Sequence, residues 1–488
     1  MYSYFFLKDE KMDFNSILDA IDSFVWGIPT IVLILVTGIL LTIRTKGIQF
    51  RKLGLGFKSI FKSNTGKGEV SSFGALCTAL SATIGTGNIV GVATAIAAGG
   101  PGALFWMWIA ALVGIATKYS ECMLSVKYRE HAEDGHVLGG PFYTIEKGMG
   151  RRWKWLAVLF AIFGVCVGLF GIGTFTQING ITSAVNNAFD PENKHIAFML
   201  FGNDYTWSVV IAGLIVTLAV ALVIIGGLKR ISKVAEKIVP AMAIIYVFLG
   251  LSILIMNATK IPEAFSVIFK NAFGWNAVMG GAMGWTFKQI TDSMQKGVAR
   301  GIFSNEAGLG SAPIAAAAAQ VDEPVQQGIV SMLGTFIDTI IICTMTGLSI
   351  VIAFYTGADA AGAGNLQGVA LTSAAFNKVL GGDGRSVQFL LMLCLVFFAF
   401  TTILGWDYYS EKCLEYLTNG NMTATKIFRW VYILAVFIGP YFTISQVWTI
   451  ADITNGLMAI PNCVSLIVLS GVVAKETNDY FNKPNLLQ

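Results

Sequence analysis

The chain has 488 residues, of which 55% are hydrophobic and only 13% charged, and its mean hydropathy is +0.67. A soluble globular protein carries about 25% charged residues, so this composition excludes a water-soluble body and predicts an integral membrane protein. The net charge of +4 is too small to indicate a nucleic-acid partner. The seven cysteines stand singly in apolar stretches, so we expect neither disulfide bonds nor a zinc site.

A transmembrane helix needs about 20 mostly apolar residues. Eleven stretches meet this requirement, and they lie at residues 25–45, 71–98, 102–128, 153–187, 205–228, 237–256, 264–298, 326–356, 386–416, 424–444 and 446–474. The first has the full length of a span and no small-residue cleavage site after it, so we expect it to remain in the mature protein. We therefore predict an all-α membrane protein of about 11 helices. The apolar piece Val369–Leu380 is expected to be a re-entrant or surface helix.

The distribution of Lys and Arg predicts the orientation of the chain. With the N-terminus outside and the C-terminus inside, 25 basic residues lie on the inner side and 7 on the outer side, and one more lies within a span. This prediction counts Lys288, Lys296 and Arg300 on the inner side. Residues 1–24 are then an extracellular segment, and residues 475–488 a cytoplasmic tail.

The second span is interrupted near its centre by Gly85, Thr86, Gly87 and Asn88. Two Gly within three residues make local unwinding cheap, and non-helical backbone at this depth is tolerated only where it is buried in protein or lines a cavity. Unwound N–H groups suit a carboxylate, and freed carbonyl groups suit a cation. The alternative is a Gly-x-Gly that only lets two helices pack closely, and the pattern leaves both interpretations open.

The seventh span carries three Gly in five residues, at Gly280, Gly281 and Gly284. They divide a predicted outer half, about 264–279, from a predicted inner half, about 285–298. A kinked packing helix is the alternative. Gly-interrupted segments in corresponding positions of two halves indicate a transporter site, so the pair of interruptions is more informative than either one.

The two interrupted spans are five spans apart, and five is odd, so the second half enters the membrane from the opposite side. This predicts an inverted repeat. The first copy is residues 71–256 and the second is residues 264–474, with the helix 25–45 left over.

Other polar residues within the spans have two interpretations each. Gln177 and Asn179 line a cavity or form interhelical hydrogen bonds. The hydroxyls of the stretch Ala399–Thr402 suit a small cation, or they bond back to their own helix. Asp338 and Asp452 are intramembrane carboxylates, and such groups bind cations or pair with a base.

Lys118 and Glu121 are three residues apart near the inner end of the third span. We interpret them as an ion pair or as a snorkelling Lys. The three His all fall in loops, which argues against a His-based proton relay. No GxSxG, HExxH or P-loop motif is present, so we do not expect an enzyme.

Three stretches are long and specific: SATIGTGNIVGV at Ser81–Val92, GGPFYTIEKG at Gly139–Gly148 and RGIFSNEAGLGSA at Arg300–Ala312. Through them the chain resembles the alanine/glycine:cation symporter family, over about residues 15 to 475. That family looks like a branch of the leucine-transporter-fold superfamily, in which ten helices form a five-plus-five inverted repeat. The resemblance implies this fold for spans 2–6 and 7–11, with span 1 as an extra N-terminal helix, and inward transport of alanine or glycine with sodium.

The resemblance also implies a substrate site and two sodium sites. The N–H groups of Thr86, Gly87 and Asn88 would receive the substrate carboxylate, and the Asn88 side chain and the Thr83 carbonyl would hold one sodium. The second sodium would be held by the carbonyls of Ser81, Ile84 and Ala399 and the hydroxyl of Thr402. The chain departs from the family pattern at Ile403, where a second hydroxyl is usual, and Thr401 replaces it only if the helix register shifts slightly. Asp338 is a further candidate sodium ligand.

The mechanism expected from these features is alternating access. Freed carbonyls near Gly280 and Gly281 accept the substrate ammonium, and Gln177 completes the polar shell. Three bulky residues cap the side-chain space and favour a small amino acid: Met279, Met283 and Trp285. The segment Ser304–Ala312 joins the moving parts as a hinge, or it is a polar capped turn.

The expected partners are alanine or glycine, sodium and the lipid bilayer of the cell membrane, with no cofactor and no nucleic acid. Two alternatives remain at this point. Proton coupling would have to run through Asp338 or Asp452, and an ion channel would need a continuous polar path.

Overall fold

The computed structural model describes residues 14–60, 66–132, 135–200, 202–274, 283–357, 362–381, 385–442 and 444–483, with the backbone alone for residues 14, 15, 19, 283–287 and 444–446. The described chain is almost entirely helical, as the hydropathy pattern predicts. The helices up to the middle of the chain are α1 Phe14–Val25, α2 Ile28–Arg44, α3 Ile48–Arg51, α4 Leu53–Ser59, α5 Ser72–Thr83, α6 Val92–Gly99, α7 Gly102–Lys127, α8 Pro141–Tyr143, α9 Lys154–Phe170, α10 Phe175–Phe189, α11 Trp207–Ile224 and α12 Gly227–Met256. The remaining helices are α13 Ile261–Ala272, α14 Met283–Asn305, α15 Ala312–Ala317, α16 Pro324–Thr335, α17 Thr344–Tyr355, α18 Gly368–Leu380, α19 Arg385–Leu417, α20 Met422–Ile438, α21 Ile444–Val468 and α22 Ser470–Phe481.

Short irregular helices and two hairpins complete the architecture. The π-helical turns are Gly87–Gly91, Thr144–Met149 and Phe336–Cys343, and the 3₁₀ turns are Arg151–Trp153, Ala258–Lys260 and Gly439–Tyr441. The antiparallel hairpins pair β1 Glu130–His131 with β2 Val137–Leu138, and β3 Ile196–Leu200 with β4 Asn203–Thr206. Both hairpins lie in connections between spans.

Nine helical stretches of the described chain are long and apolar enough to cross a membrane, and the bent pair Ser72–Thr83 and Gly87–Gly99 makes a tenth. These ten correspond to ten of the eleven predicted spans. The predicted fourth span is broken between α9 and α10, where Gly171 leaves the helix with φ −112° and ψ −131°. The apolar piece Val369–Leu380 forms α18, and the face of this helix that carries Leu371, Ala375 and Phe376 is buried against the rest of the protein.

Glycine lets the long helices approach closely. A Cβ at Gly168 of α9 would lie 1.7 Å from Ser410 Oγ of α19, and one at Gly164 would lie 2.5 Å from Cys413 Sγ. The Ser410 hydroxyl donates to the Gly164 carbonyl at 3.2 Å. Small residues at such crossings allow the backbone contact on which membrane helix packing depends, which accounts for part of the 53 Gly.

The seventh span lies further along the chain than predicted. The Ser293 hydroxyl of α14 donates to the Gly99 carbonyl, and a Cβ at Gly297 would lie 2.3 Å from the Ala103 carbonyl oxygen. Residues 293–297 therefore lie at the end of the bundle where α6 ends and α7 begins, which is the predicted outer end. The prediction that 285–298 is an inner half is wrong.

The error arises from the hydropathy of the two segments. The predicted outer half overlaps the amphipathic helix α13, and a Cβ at Gly102 of α7 would lie 2.5 Å from the Ala272 nitrogen of that helix. Helix α14, which follows it, carries many polar residues, of which Ser293, Arg300, Ser304 and Asn305 are buried against neighbouring helices while Lys288 is exposed. Lys288, Lys296 and Arg300 thus belong to the predicted outer end, which changes the basic-residue split to 22 against 10 in the same direction.

The predicted Lys118–Glu121 pair is confirmed as an ion pair, with Nζ and Oε1 3.7 Å apart and both side chains buried. The pairing interpretation of Asp452 also holds. Its two carboxylate oxygens accept from Arg300 Nη1 at 2.8 Å and Nη2 at 2.7 Å. The Arg300 guanidinium lies 4.6 Å from the Trp448 ring centroid, so the pair is enclosed on one side by an aromatic face.

Removing one partner of this buried pair should be strongly destabilising. We expect Asp452→Ala to lower the free energy of unfolding by about 3–5 kcal/mol, because Arg300 keeps its charge without compensation. Glu192→Ala removes a partner of the exposed Lys194–Glu192 pair and should cost less than about 1 kcal/mol. Denaturant titration in detergent micelles measures both, and equal effects of the two changes would contradict the prediction.

Candidate functional site

The interruption predicted in the second span is confirmed. Helix α5 ends at Thr83, Ile84 leaves the helix with φ −80° and ψ 94°, and the helix axis resumes at Gly87 bent by 48°. A Cβ at Gly85 would lie 2.5 Å from Thr402 Oγ1 and 2.9 Å from Gln177 Oε1. Glycine is therefore required here by the close approach of α10 and α19, and the break is held between them.

A second break lies at the end of α14. The chain between α14 and α15 takes left-handed backbone conformations at Glu306 (φ +56°), Gly308 (φ +90°) and Gly310 (φ +81°). Such a φ is uncommon for a residue other than Gly. The Glu306 carboxylate accepts from Trp406 Nε1 at 2.7 Å and from the Ser311 hydroxyl at 2.6 Å. The bond from Trp406 holds the segment against α19, and the bond from Ser311 closes the segment on itself.

The two breaks meet. A Cβ at Gly87 would lie 3.0 Å from Ser304 Cα, and Ser304 is the penultimate residue of α14. The predicted hinge segment Ser304–Ala312 thus contains the second break. The sequence pattern puts that break at Gly280, Gly281 and Gly284. Gly280 and Gly281, with Met279 before them, lie outside the described residues, and Gly284 is helical backbone at the start of α14, so no break lies there.

Met283 and Trp285 begin α14, and only their backbone is described. Ser304 lies 19 residues after Trp285, which at about 1.5 Å of rise per residue is roughly 28 Å along the helix. The start of α14 is therefore far from the place where the two breaks meet.

Asn88 links the first break to the π-helical turn of the eighth span. Its Nδ2 donates to Asp338 Oδ1 at 2.6 Å, and its Oδ1 accepts from the Gly85 N–H at 2.9 Å. The Asp338 carboxylate also accepts from the hydroxyls of Ser304 at 3.1 Å and Thr339 at 2.7 Å. Asp338 is fully buried. One carboxylate thus joins both breaks through hydrogen bonds.

Gln177 lies against the first break from α10. Its Oε1 accepts from the Thr86 N–H at 3.0 Å, and its Nε2 donates to the Ile172 carbonyl at 2.9 Å. The Thr86 hydroxyl is buried and has no hydrogen-bond partner within the described part of the chain. A buried polar group of this kind needs an explanation, and a bound ligand is one.

The residues predicted for a second sodium lie where α5 meets α19. The Thr402 hydroxyl is 3.3 Å from the Ile84 carbonyl and also donates to the Phe398 carbonyl at 3.0 Å. A Cβ at Gly405 would lie 2.9 Å from Ser81 Oγ, so Ser81 faces the same helix. Ala399 is buried one turn before Ile403 on α19.

Two threonines of the predicted sodium sites have hydroxyls that bond within their own helices: Thr401, predicted as a hydroxyl ligand, and Thr83, predicted to bind through its carbonyl alone. The Thr401 hydroxyl donates to the Phe397 carbonyl at 3.1 Å and the Phe398 carbonyl at 3.0 Å of its own helix. The Thr83 hydroxyl donates to the Ala79 carbonyl at 3.0 Å. This is the back-bonding alternative. At Ile403 the carbonyl accepts from the Tyr432 hydroxyl at 2.8 Å.

Two residues that the sequence analysis does not single out bind the backbone just after the first break, although they lie far from it in the sequence. The Thr346 hydroxyl donates to the Asn88 carbonyl at 2.8 Å, and the Thr372 hydroxyl of α18 donates to the Ile89 carbonyl at 3.0 Å. Local pattern carries no signal for Thr346. For Thr372 the apolar stretch around it indicated a re-entrant or surface helix, but not its contact with the break.

A cavity of about 730 Å³ approaches the breaks from the predicted outer end. Among its lining residues are Val90, which follows the first break, and Gly180. A Cβ at Gly180 would lie 2.5 Å from Thr86 Cγ2. The cavity therefore reaches the neighbours of the first break, with the Arg300–Asp452 pair on its wall.

Comparison with known proteins identifies the family to which these features belong. The family model described as the sodium:alanine symporter family matches residues 11–486. The chain belongs to this family. It is 45% identical to the sodium/alanine symporter AgcS of Methanococcus maripaludis, over 96% of this chain and 98% of that one. It is 36% identical to the probable sodium/glutamine symporter GlnT of Bacillus subtilis, over 93% and 88%.

Among solved structures the fold resembles MhsT in complex with L-phenylalanine, with a TM-score of 0.55 and 14% sequence identity. The match covers 84% of this chain and 99% of that chain. MhsT is a transporter of the leucine-transporter fold, so the predicted all-α membrane fold of this type is confirmed, while the count of 11 helices and the extra N-terminal helix remain predictions. The family and its relatives make the chain a multi-pass membrane protein that transports an amino acid together with a cation.

Proposed function

We propose that this symporter couples the import of alanine and glycine to sodium by alternating access, in the cell membrane with its N-terminus outside. The observation that carries the proposal is the meeting of two broken helices at Gly87 and Ser304, beside the buried Asn88–Asp338 pair. Broken helices at one depth bind a substrate and a cation through their freed backbone groups. The relative AgcS is named a sodium/alanine symporter, which supports the same choice of cargo.

The substrate carboxylate binds at the first break. The helix that resumes at Gly87 has its N-terminal end there, and helix N-termini favour an anion. Because the Thr86 N–H already donates to Gln177, the N–H groups of Gly87 and Asn88 are the main donors. The buried Thr86 hydroxyl, which has no partner in the described chain, is a further donor.

Sodium is needed because two negative charges approach each other at this point. A substrate carboxylate at Asn88 comes close to the Asp338 carboxylate, which hydrogen-bonds to the same side chain. Two buried like charges repel strongly at low dielectric, and a cation between them offsets the repulsion. We assign that sodium to the Asn88 side chain, the Thr83 carbonyl and Asp338, whose oxygens are the hard ligands a small cation prefers.

A second sodium belongs where Ser81, Ile84, Ala399 and Thr402 meet. The 3.3 Å approach of the Thr402 hydroxyl to the Ile84 carbonyl supports this site. Both hydroxyls bond back to their own helix, but only that of Thr402 also approaches a carbonyl of the first break; both carbonyl contacts of Thr401 lie within α19, so we leave Thr401 out of the site. A cation here would join the first break to α19, so its binding would favour one arrangement of the two.

The substrate ammonium binds at the second break. The carbonyl groups at the end of α14 point along the helix axis into the break, and helix C-termini favour a cation. We assign this role to the carbonyls of the segment after Ile302, in place of Gly280 and Gly281. The breaks are closely packed at Gly85, Gly87 and Gly180, which favours a small side chain.

Proton coupling is the second candidate. Asp452 is bound by both nitrogens of Arg300, so Asp338 is the acid that would carry the proton. The test is uptake of radiolabelled alanine into proteoliposomes under an imposed sodium gradient or an imposed proton gradient. We expect accumulation with the sodium gradient and its loss when a sodium ionophore is added. Accumulation that follows the proton gradient and is indifferent to sodium would overturn the proposal.

A further inference from the structure

Asn455 is a fully buried amide in α21, and neither its oxygen nor its nitrogen has a hydrogen-bond partner within the described part of the chain. Leaving a buried amide unpaired costs free energy comparable to a lost hydrogen bond. The nearby Asn462, by contrast, donates to Glu121 Oε2 and to the Gly308 carbonyl, each at 2.9 Å. Asn462 is a structural residue, and Asn455 has no structural role of that kind.

The position of Asn455 follows from its neighbours along α21. Residues three and seven apart lie on one face of a helix. Three positions before Asn455 is Asp452, which binds Arg300 of α14, and seven positions after it is Asn462, which binds the Gly308 carbonyl. Its neighbours on this face thus contact α14 four residues before Ser304, and the second break four residues after Ser304. Asn455 faces the stretch between those contacts.

We propose that the Asn455 side chain is a substrate-binding group whose Oδ1 accepts a hydrogen bond from the ammonium of the bound amino acid. The inference rests on the proposed function, which puts the ammonium at the second break. A helix end supplies carbonyls that all point along one axis, whereas an ammonium has three N–H donors spread about its C–N bond. An acceptor from a different helix completes the set, and Asn455 offers a buried one with no partner within the described part of the chain.

N-methylation of the substrate tests this geometry. N-methylalanine has two N–H donors, so in the wild type one acceptor loses its bond and the KM should be higher than for alanine. Asn455→Leu keeps the size of the side chain and removes its acceptor. The KM for alanine should then rise roughly 10- to 100-fold, the usual effect of losing one hydrogen bond to a charged group. The KM for N-methylalanine should rise little further in this variant, because its methyl group already points towards residue 455 and makes no hydrogen bond there.

The decisive readout is the ratio of the two KM values in sodium-driven uptake by proteoliposomes. The ratio should fall towards one in Asn455→Leu and stay high in Asn455→Asp, which keeps an acceptor. The matched control is Thr454→Val, because the hydrogen bonds given for the Thr454 hydroxyl stay within its own helix, to the Ile450 carbonyl at 3.0 Å and the Ala451 carbonyl at 3.1 Å. It should leave both KM values unchanged. If Asn455→Leu is not monodisperse, Asn455→Ala is used in the same assay.

Two failures are distinguishable. Absence of sodium-driven alanine uptake in the wild type overturns the proposed function. Normal uptake in the wild type, with an unchanged KM ratio in Asn455→Leu, overturns the role of Asn455 alone and means that its amide is satisfied by water. A raised KM for alanine with the same ratio also overturns it, because a merely structural role would weaken both substrates equally.

Discussion

Gly85→Ala should abolish alanine transport while leaving the protein folded. The added methyl group would lie 2.5 Å from Thr402 Oγ1 and 2.9 Å from Gln177 Oε1, and real contacts to a Cβ are longer. Either α19 must move away from the first break, which separates Thr402 from the Ile84 carbonyl, or Gln177 must leave the Thr86 N–H. Both movements alter a proposed binding site. We expect initial rates to fall by more than about 100-fold, since small displacements at such a site cost about that much.

The matched control is Gly91→Ala, in the same broken helix and equally buried. A Cβ at Gly91 meets nothing within 4 Å, so transport should be close to that of the wild type. Gel filtration and thermal unfolding in detergent check that both variants fold. Transport by Gly85→Ala at the rate of Gly91→Ala would contradict the role of the first break.

Asp338→Asn should raise the sodium concentration needed for half-maximal transport by more than about 10-fold, the effect of weakening one interaction with a charged group. The change keeps the shape of the side chain and removes its negative charge, which in our account is shared between sodium and the hydrogen bonds from Asn88 and Ser304. The measurement is alanine uptake as a function of external sodium. With saturating sodium, transport should recover in part.

Asp204→Asn is the control for the loss of one negative charge, because Asp204 is an exposed residue of the β3–β4 hairpin. It should leave the sodium dependence unchanged. If Asp338→Asn keeps the sodium dependence of the wild type, Asp338 is not a sodium ligand. If the variant loses proton-driven transport instead, the second candidate function gains support.

The first break could be predicted from sequence because its cause is local. Two Gly, a Thr and an Asn within four residues weaken a helix wherever they occur. Because they lie in the middle of an apolar span, the unwound backbone must be buried in protein or line a cavity. The five-span spacing and the family resemblance then led to the repeat. The hydrogen bond between the Asn88 side chain and Asp338 could not be predicted, because Asp338 lies 250 residues later in the chain.

The second break was misplaced because its helix does not look like a membrane span. Helix α14 carries Lys288, Lys296 and Arg300. Lys288 is exposed, Arg300 pairs with Asp452, and α6 and α7 pack against α14 at Ser293 and Gly297. A hydropathy pattern measures each segment in isolation, so it begins the span in the apolar α13 and ends it at residue 298, before the break. The positive φ at Glu306 also has no local signal, because the two bonds that stabilise it come from Ser311 and Trp406.

Asn455 and Thr372 illustrate the remaining limit. Each is a single polar residue in an apolar helix, and a sequence contains many of these with purely structural roles. Only the arrangement of α18 and α21 around the breaks distinguishes them. Thr372 contacts the Ile89 carbonyl, and Asn455 has an unpartnered amide in the described structure.

The most direct test of sodium–amino-acid coupling imposes a gradient of the amino acid and measures the movement of sodium. Proteoliposomes are loaded with equal ²²Na⁺ concentrations inside and outside, and an inward alanine gradient is imposed with the membrane potential clamped. A sodium symporter must then raise the internal ²²Na⁺ concentration above the external one, although the two start equal. An inward gradient of glycine should drive the same accumulation of ²²Na⁺. Alanine entry without ²²Na⁺ accumulation, or with acidification of the lumen in its place, would contradict the account.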